Sequence, residues 1–80
     1  MAEKTIKSPL PGTFYRKPNP TSDPFVTEGE AVEPGKVVGL VEIMKSFHEV
    51  RAEDTGVVER FLVESEDAVE AGQDLVVLSD

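Results

Sequence analysis

Lys45 carries a primary amine that can in principle be acylated, although a solvated surface residue is the simpler interpretation of a lysine in a polar turn. A valine-rich run, residues 37–43, precedes it, and Phe47 and Val50 follow it. A lysine ammonium has a pKa of about 10.4 and is a poor nucleophile at neutral pH, so its acylation needs an activated acyl donor and an enzyme that removes the proton. The amide that forms would remove one positive charge from a chain of formal charge −8. In this chemistry the chain is a substrate.

Four residues beside Lys45 are candidates for roles around it. Met44 precedes it directly, and Glu42 and Glu49 flank it as carboxylates, for which solvated surface charge is the simpler interpretation. His48 is the single histidine, and no serine or cysteine is spaced to pair with it, which indicates a strand side chain and not a catalyst. Without a nucleophile and base pair, a stand-alone enzyme is the least favoured class.

The composition restricts the chain to one small domain and disfavours several partners. Eighty residues suffice for one compact unit and not for two. With 16 acidic and 8 basic residues, the charge has the wrong sign for nucleic-acid phosphates or an anionic membrane. The absence of cysteine excludes a disulfide framework and a zinc ribbon, and the acidic stretch 64–70 lacks the pattern of a calcium loop. No apolar run is long enough for a membrane span or a signal peptide, so we expect a cytoplasmic protein without a metal.

Short runs of β-branched and aromatic residues between turn residues predict strands and no helix. The predicted strands are Thr5–Pro9, Thr13–Arg16, Val37–Ile43, Phe47–Ala52, Val57–Val63 and Asp74–Ser79, with shorter pieces near Phe25, Val32 and Val69. The glycines predicted to mark turns between them are Gly12, Gly29, Gly35, Gly56 and Gly72. This spacing predicts an all-β domain, either an antiparallel sandwich or a flattened barrel.

The chain also repeats itself, which indicates two halves of one design. Residues 31–35 (AVEPG) match residues 68–72 (AVEAG) 37 positions later, and Gly12 matches Gly56 44 positions later. The first half therefore carries seven extra residues, between Arg16 and Phe25 at about 17–24. The prolines of this insertion predict an extended, partly stiff loop that protrudes from the core.

Two related halves predict a quasi-two-fold sandwich in which residues 44–46 join the first half to the second. A connection this short predicts a tight hairpin, with Lys45 in the middle and exposed at its tip. We expect Phe47 and Val50 to anchor the second arm of this hairpin in the core.

Residues 42–45 (EIMK) resemble the Glu-Ala-Met-Lys-Met signature of biotinyl domains, the carrier domains of biotin-dependent carboxylases. Residues 9–15 (PLPGTFY) and the segment 64–78 are similar to the opening and closing elements of the carrier proteins of bacterial acetyl-CoA carboxylases. The resemblance covers nearly the whole chain. In two places the chain departs from the signature: Ile43 replaces a small alanine, and Ser46 replaces an apolar methionine.

The resemblance implies that residues 1–80 are one biotinyl carrier domain, a flattened β-barrel or sandwich of two antiparallel four-stranded sheets with quasi-two-fold symmetry. It implies biotin as the covalent cofactor on Lys45, recognition of Met44 by a biotin protein ligase, and Glu42 and Glu49 as further ligase contacts. The insertion 17–24 would correspond to a thumb that packs near the biotin. The implied partners are the ligase, a biotin carboxylase and a carboxyltransferase, and the domain would shuttle a carboxylate between the last two without catalysing either reaction. The implied whole is an acyl-CoA carboxylase, with acetyl-CoA as the favoured substrate.

Two alternatives stay open. A lipoyl domain of a 2-oxo acid dehydrogenase shares the fold, but its lysine usually follows Asp and precedes Ala or Val, whereas Met44 and Ser46 stand here. An unmodified β-sandwich that serves as an interaction module is made credible by the unusual Ile43 and Ser46. The mass of the intact chain after exposure to a biotin ligase would separate these three classes.

Overall fold

The computed structural model describes residues 4–79, which form eight β-strands and no helix. The strands are β1 (Lys4–Lys7), β2 (Gly12–Tyr15), β3 (Ala31–Val32), β4 (Val37–Ile43), β5 (Ser46–Arg51), β6 (Gly56–Phe61), β7 (Ala68–Val69) and β8 (Asp74–Ser79). Residues 1–3 and 80 of the predicted domain lie outside the described residues. Within the described part of the chain, no helix is long and apolar enough to cross a membrane.

The strands form two four-stranded antiparallel sheets, in the orders β1-β8-β6-β3 and β5-β4-β2-β7. Each strand of one sheet has a counterpart at the same position in the other sheet, four strands away along the chain. The corresponding pairs are β1 and β5, β2 and β6, β3 and β7, and β4 and β8, which is the relationship that the sequence repeat predicted. The prediction of an all-β fold with quasi-two-fold symmetry is therefore confirmed.

The symmetry extends to single hydrogen bonds. The Gly35 amide donates to the Ala52 carbonyl at 2.9 Å, and in the other half the Gly72 amide donates to the Ser8 carbonyl at 2.8 Å. These partners are the residues that the two sequence offsets match. By the same symmetry, the pair of strands β4 and β5 corresponds to the pair β8 and β1. The place equivalent to the β4–β5 turn is therefore where β8 ends and β1 begins.

Buried side chains of both sheets form a single core cluster. Phe14, Leu75 and Leu78 are its largest fully buried members, and valines supply most of the rest. Branched side chains suit this role because they pack well against the pleated surface of a sheet. Strands from both halves contribute, so neither half has a core without the other.

Two of the five predicted turn glycines lie in strands. Gly12 and Gly56 begin β2 and β6, where a side chain would collide with the carbonyl oxygens of Glu42 and Ser79 respectively. These two glycines allow close approach of a neighbouring strand, whereas the other three have positive φ and make turns. The spacing of the glycines along the chain does not distinguish a glycine that makes a turn from one that allows two strands to approach closely.

The predicted short strand near Phe25 is absent, and that prediction was wrong. The Phe25 amide donates to the Arg16 carbonyl at 2.9 Å and closes the base of the long loop instead of joining a ladder. Pro24, directly before it, has no amide hydrogen to give to a neighbouring strand. Val26 nevertheless reaches the core, which accounts for the apolar signal at this place.

Candidate functional site

The hairpin between β4 and β5 turns in two residues, Met44 and Lys45. Ile43 pairs with Ser46 across its base, and Met44 and Lys45 have φ angles of 49° and 70°. Positive φ at both central residues is the signature of a type I′ turn, whose twist matches that of the flanking strands. The predicted three-residue connection was one residue too long: Ser46 belongs to β5, and Lys45 is the second of two turn residues.

Lys45 is exposed at this tip. Within residues 4–79 no hydrogen bond or ion pair restrains its ammonium group. Met44 beside it is 92% exposed, the most exposed of the large apolar side chains in the described chain. An exposed methionine next to an unrestrained lysine leaves both available to a visiting protein.

The strands on either side hold this turn in an unfavourable conformation. A residue with a Cβ atom in the left-handed region costs about 1–2 kcal/mol, and here two such residues follow one another. The ladder between β4 and β5 and the burial of Val38, Val41 and Val50 oppose this cost. The amine is therefore presented on a rigid support, and its mobility comes from its own side chain.

Glu42 is not a solvated carboxylate, contrary to the simpler interpretation of the sequence. It is half-buried, and its Oε1 accepts a hydrogen bond of 2.9 Å from the Tyr15 hydroxyl. This bond raises the pKa of Tyr15, because it stabilises the protonated phenol, and partial burial and the charges of Glu42 and Glu66 act in the same direction. Glu49 is exposed and contacts Arg51 on the same strand. Both carboxylates that flank the turn therefore have a partner.

Phe47 does not anchor the hairpin in the core, as the sequence had led us to expect. It is 57% exposed, and its ring lies 6.1 Å from that of Tyr15 at an angle of 53°. Phe47 pairs with Glu42 across the hairpin, so it shares the outer face of the sheet, while Val50 is buried as predicted. The three-residue separation of Phe47 and Val50 along one strand could have indicated opposite faces.

The insertion and this aromatic pair enclose a groove of about 380 Å³. Its lining consists of Tyr15, Lys17, Pro18, Asn19, Pro20, Phe47, Ser65 and Glu66. Asn19 shapes the loop, because its Oδ1 accepts hydrogen bonds from the Thr21 amide and from the hydroxyls of Thr21 and Ser22. The groove begins at Phe47, two residues after Lys45. Tyr15 and Glu66, which also line it, were not among the predicted site residues.

The remaining sequence candidates lie apart from this groove or have structural roles. His48 is exposed on β5 and lines a separate shallow hollow. The acidic stretch makes a turn in which Asp67 Oδ2 accepts a hydrogen bond of 2.8 Å from the Glu64 amide. No group of three potential metal ligands occurs within residues 4–79.

A two-sheet β domain that presents one unrestrained primary amine on a rigid two-residue turn is suited to carrying a group attached to that amine. The comparison with protein families agrees: the family described as "Biotin-requiring enzyme" matches residues 4–78. The chain belongs to this family, whose members hold biotin covalently on a lysine.

Individual relatives are carrier proteins. The chain is 41% identical over 73 residues to the biotin carboxyl carrier protein of acetyl-CoA carboxylase from Pseudomonas aeruginosa, covering 91% of this chain and 47% of that protein. It is 39% identical over 74 residues to the chloroplastic biotin carboxyl carrier protein of acetyl-CoA carboxylase 2 from Arabidopsis thaliana, covering 92% of this chain and 29% of that protein. The chain thus spans less than half the length of these relatives.

A solved structure shows the same fold in a larger protein. Urea carboxylase from Kluyveromyces lactis superimposes with a TM-score of 0.81 and 28% sequence identity. The match covers 99% of this chain and 6% of that protein. The fold described above is therefore found as a small part of urea carboxylase.

The residues of this chain fit a lysine-linked biotin. Lys45 offers a primary amine that nothing within residues 4–79 restrains. The groove at the foot of the hairpin has a volume typical of small-molecule sites and combines aromatic and proline walls with polar groups.

Proposed function

We propose that this chain is the biotin carboxyl carrier domain of an acyl-CoA carboxylase, with acetyl-CoA as the substrate that the relatives' names favour. The observation that carries the proposal is the exposed, unrestrained Lys45 in a type I′ turn. Of the five lysines in the sequence, it is the one at the tip of a two-residue hairpin.

The chain's own contribution is to present the attachment point on Lys45 to its partner enzymes. Biotin, when bound, supplies a ring that accepts and releases a carboxyl group. The β4–β5 hairpin holds the attachment point away from the core, and the four-carbon stem of Lys45 adds reach. Tethering replaces diffusion by a high local concentration at each partner's active site. In this role the domain is non-catalytic.

We propose that the chain is cytoplasmic and that it has three partners: a biotin protein ligase, a biotin carboxylase and a carboxyltransferase. The ligase would contact Met44, whose side chain is almost fully exposed beside the amine. Glu42 and Glu49 are proposed as further ligase contacts, the first held by Tyr15 and the second beside Arg51.

The insertion 17–24 is proposed to act as a thumb. It supports one wall of the groove that opens at Phe47, and Asn19 gives it a defined shape. A wall of prolines at this place would limit where a group carried on Lys45 can rest on the domain.

Measurement of intact mass tests the proposal. The chain and a Lys45→Arg variant are each incubated with a biotin protein ligase, ATP and biotin, and we expect one biotin adduct on the chain and none on the variant. Lys36→Arg is the matched control, because Lys36 also lies in an exposed turn, and it should be modified like the unchanged chain.

The same measurement identifies the alternatives. An adduct that persists in Lys45→Arg would place the attachment at another lysine. An unmodified chain under full ligase activity would indicate an interaction module, and a lipoyl adduct formed by a lipoate ligase would indicate a lipoyl domain.

A further inference from the structure

Arg16 is a half-buried cation for which the described part of the chain supplies no anion. Its side-chain nitrogens make no hydrogen bond and no ion pair with any residue from 4 to 79, although the sequence has 16 acidic residues and only 8 basic ones. Its Nε is buried without an acceptor, which folded proteins rarely show. Lys7, Arg51 and Arg60, by contrast, each pair with a carboxylate of their own chain. A cation held without an anion in its own domain indicates an anion supplied by another molecule.

The ring of Phe61 holds the Arg16 guanidinium in place. Arg16 Cζ lies 3.8 Å from the ring centroid, which is a cation–π contact, and Phe61 in turn packs against the core. The Nη groups of Arg16, unlike its Nε, are not buried. The planar guanidinium is therefore fixed by the ring and accessible at its Nη end. This arrangement suits a carboxylate, which a guanidinium binds through two parallel hydrogen bonds.

Arg16 lines a hollow of about 260 Å³ at the base of the insertion, together with Lys17, Pro24, Glu64 and Ser65. Lys17 is exposed, and its ammonium has no partner among residues 4–79. Ser65 Oγ accepts a hydrogen bond of 2.9 Å from the Arg16 amide, which leaves its hydroxyl hydrogen available for donation. Guanidinium, ammonium and hydroxyl donors thus meet at one place on a strongly acidic chain.

Glu64 limits which anion fits the hollow. Its carboxylate makes no ion pair with Arg16 or Lys17, and its charge opposes a doubly charged phosphate more than a singly charged carboxylate. An exposed ion pair contributes little by itself, so these groups would not retain a free carboxylate from solution. A carboxylate on a protein surface is held by the rest of the contact as well, and Pro24 offers apolar area beside the cations. The occupant that fits is an acidic side chain of a partner protein.

The strand register places this hollow away from the tip of the hairpin. Arg16 follows Tyr15, which pairs with Leu40, and Lys45 lies five residues after Leu40. At a rise of about 3.3 Å per strand residue, the separation is roughly 15 Å. An enzyme that modifies the amine itself acts at the tip. An enzyme that acts at the end of a long arm attached to Lys45 can contact the domain at this distance from the tip.

We propose that Arg16, together with Lys17 and Ser65, binds an acidic side chain of the carboxylase that acts on the group carried by Lys45. This inference rests on the proposed function. The contact positions the domain while the arm extends into the active site of the enzyme. It therefore lowers KM for the biotinylated chain and does not contribute to the chemical step. The biotin protein ligase, which acts at the tip, does not use it.

Steady-state kinetics test the inference, with the biotinylated chain as the varied substrate of the carboxylase and intact mass confirming one adduct in each sample. For Arg16→Gln we expect KM to rise roughly tenfold with kcat unchanged, as for the loss of one charged contact at an interface. Arg16→Lys keeps the charge without the planar pair of donors and should raise KM about threefold. Arg16→Glu should raise KM more than Arg16→Gln, because it brings two carboxylates together.

Arg60→Gln is the matched control, because it changes the net charge equally but Arg60 pairs with Glu59 within the domain. Its KM should equal that of the unchanged chain. Lys17→Gln should raise KM about threefold, and because Lys17 is exposed, this variant tests the inference independently of the stability of the Arg16 variants. The rate of biotinylation by the ligase should be the same in every variant.

Equal KM values in the unchanged chain, Arg16→Gln and Lys17→Gln would overturn the inference and leave the proposed function intact. A KM in Arg16→Glu no higher than in Arg16→Gln would show that the occupant is not a carboxylate. An equal rise in Arg60→Gln would show a general effect of charge, and either of these results would also overturn the inference. A chain that takes no biotin adduct would overturn the proposed function first, and this inference with it.

Discussion

The Tyr15 hydroxyl donates a hydrogen bond of 2.9 Å to Glu42 Oε1 across the pair of strands β2 and β4. Glu42 lies three residues before Lys45, and Phe47 lies two residues after Lys45. Tyr15 also contacts the ring of Phe47. One phenol thus joins both arms of the hairpin that carries the amine. The Tyr15 hydroxyl orients the Glu42 carboxylate, for which solvated surface charge was the simpler interpretation of the sequence.

The first prediction concerns the titration of Tyr15. It is the single tyrosine of a chain without tryptophan, so its ionisation can be followed by ultraviolet absorbance without interference. Glu42→Ala should lower its pKa toward the ordinary value of about 10, because the hydrogen bond to Glu42 is the main cause of the rise. Glu49→Ala should leave the titration unchanged, since Glu49 contacts Arg51 instead.

The raised pKa also fixes the sign of a pH effect on stability. The protonated phenol is favoured in the folded state, so its contribution to the free energy of unfolding is complete below a pH of about 10 and is lost as the pH rises through the folded pKa. Equal titration curves for the unchanged chain and Glu42→Ala would contradict the assignment of the hydrogen bond as the cause.

The second prediction concerns the strain in the turn. Lys45→Gly should raise the free energy of unfolding by about 1 kcal/mol, because glycine adopts positive φ without steric cost at the second position of a type I′ turn. Chemical denaturation measures the change, and Lys45→Arg, which keeps the Cβ atom, should match the unchanged chain. If both variants had the same stability, the turn would not store strain at this residue.

The third prediction concerns acid. The Lys7 ammonium donates to Asp74 Oδ1, the Thr5 hydroxyl donates to the same atom at 3.1 Å, and these bonds, that of Lys7 first, hold the pKa of Asp74 below its ordinary value. Their contribution to stability is therefore present above a pH of about 4 and is lost as the pH falls through the folded pKa.

Denaturation at two pH values checks this. Asp74→Asn should destabilise the chain near neutral pH, and the effect should shrink as the pH falls through the folded pKa, because the aspartate then loses its charge in the folded state as well. Asp54→Asn is the control, because Asp54 is exposed and accepts no hydrogen bond within residues 4–79, and it should have little effect at either pH. A loss of stability in Asp74→Asn that is equal at both pH values would contradict the electrostatic origin.

The fourth prediction concerns the insertion. Deleting residues 21–23 removes all three donors to Asn19 Oδ1 but leaves the base of the loop, where the Phe25 amide donates to the Arg16 carbonyl and the Arg16 amide donates to Ser65 Oγ. We expect the free energy of unfolding to change by less than about 1 kcal/mol. Carboxyl transfer in the assembled carboxylase should slow, because the groove wall is lost.

Circular dichroism and a transfer assay separate the two effects. An unfolded deletion variant would show that the insertion belongs to the core. Unchanged transfer by a folded variant would show that it has no part in the function.

The repeat made the fold accessible from the sequence. Matching offsets at Ala31 and Ala68 and at Gly12 and Gly56 predicted two related halves, and the shortness of the link between them then predicted a tight hairpin with Lys45 at its tip. These conclusions depend on local pattern and on chain connectivity, which a sequence records directly. The strand predicted near Phe25 failed because a hydrophobic signal does not say whether the backbone beside it finds a ladder partner.

Tertiary structure alone decided what surrounds the amine. Tyr15, Glu42 and Phe47 meet because β2, β4 and β5 are neighbours in one sheet, and Glu66 joins them through the turn before β7. Sequence established which residues the chain has and the order in which they come. Contacts between side chains far apart along the chain depend on strand register and on the direction of each side chain, and these are fixed only when the two sheets pack together.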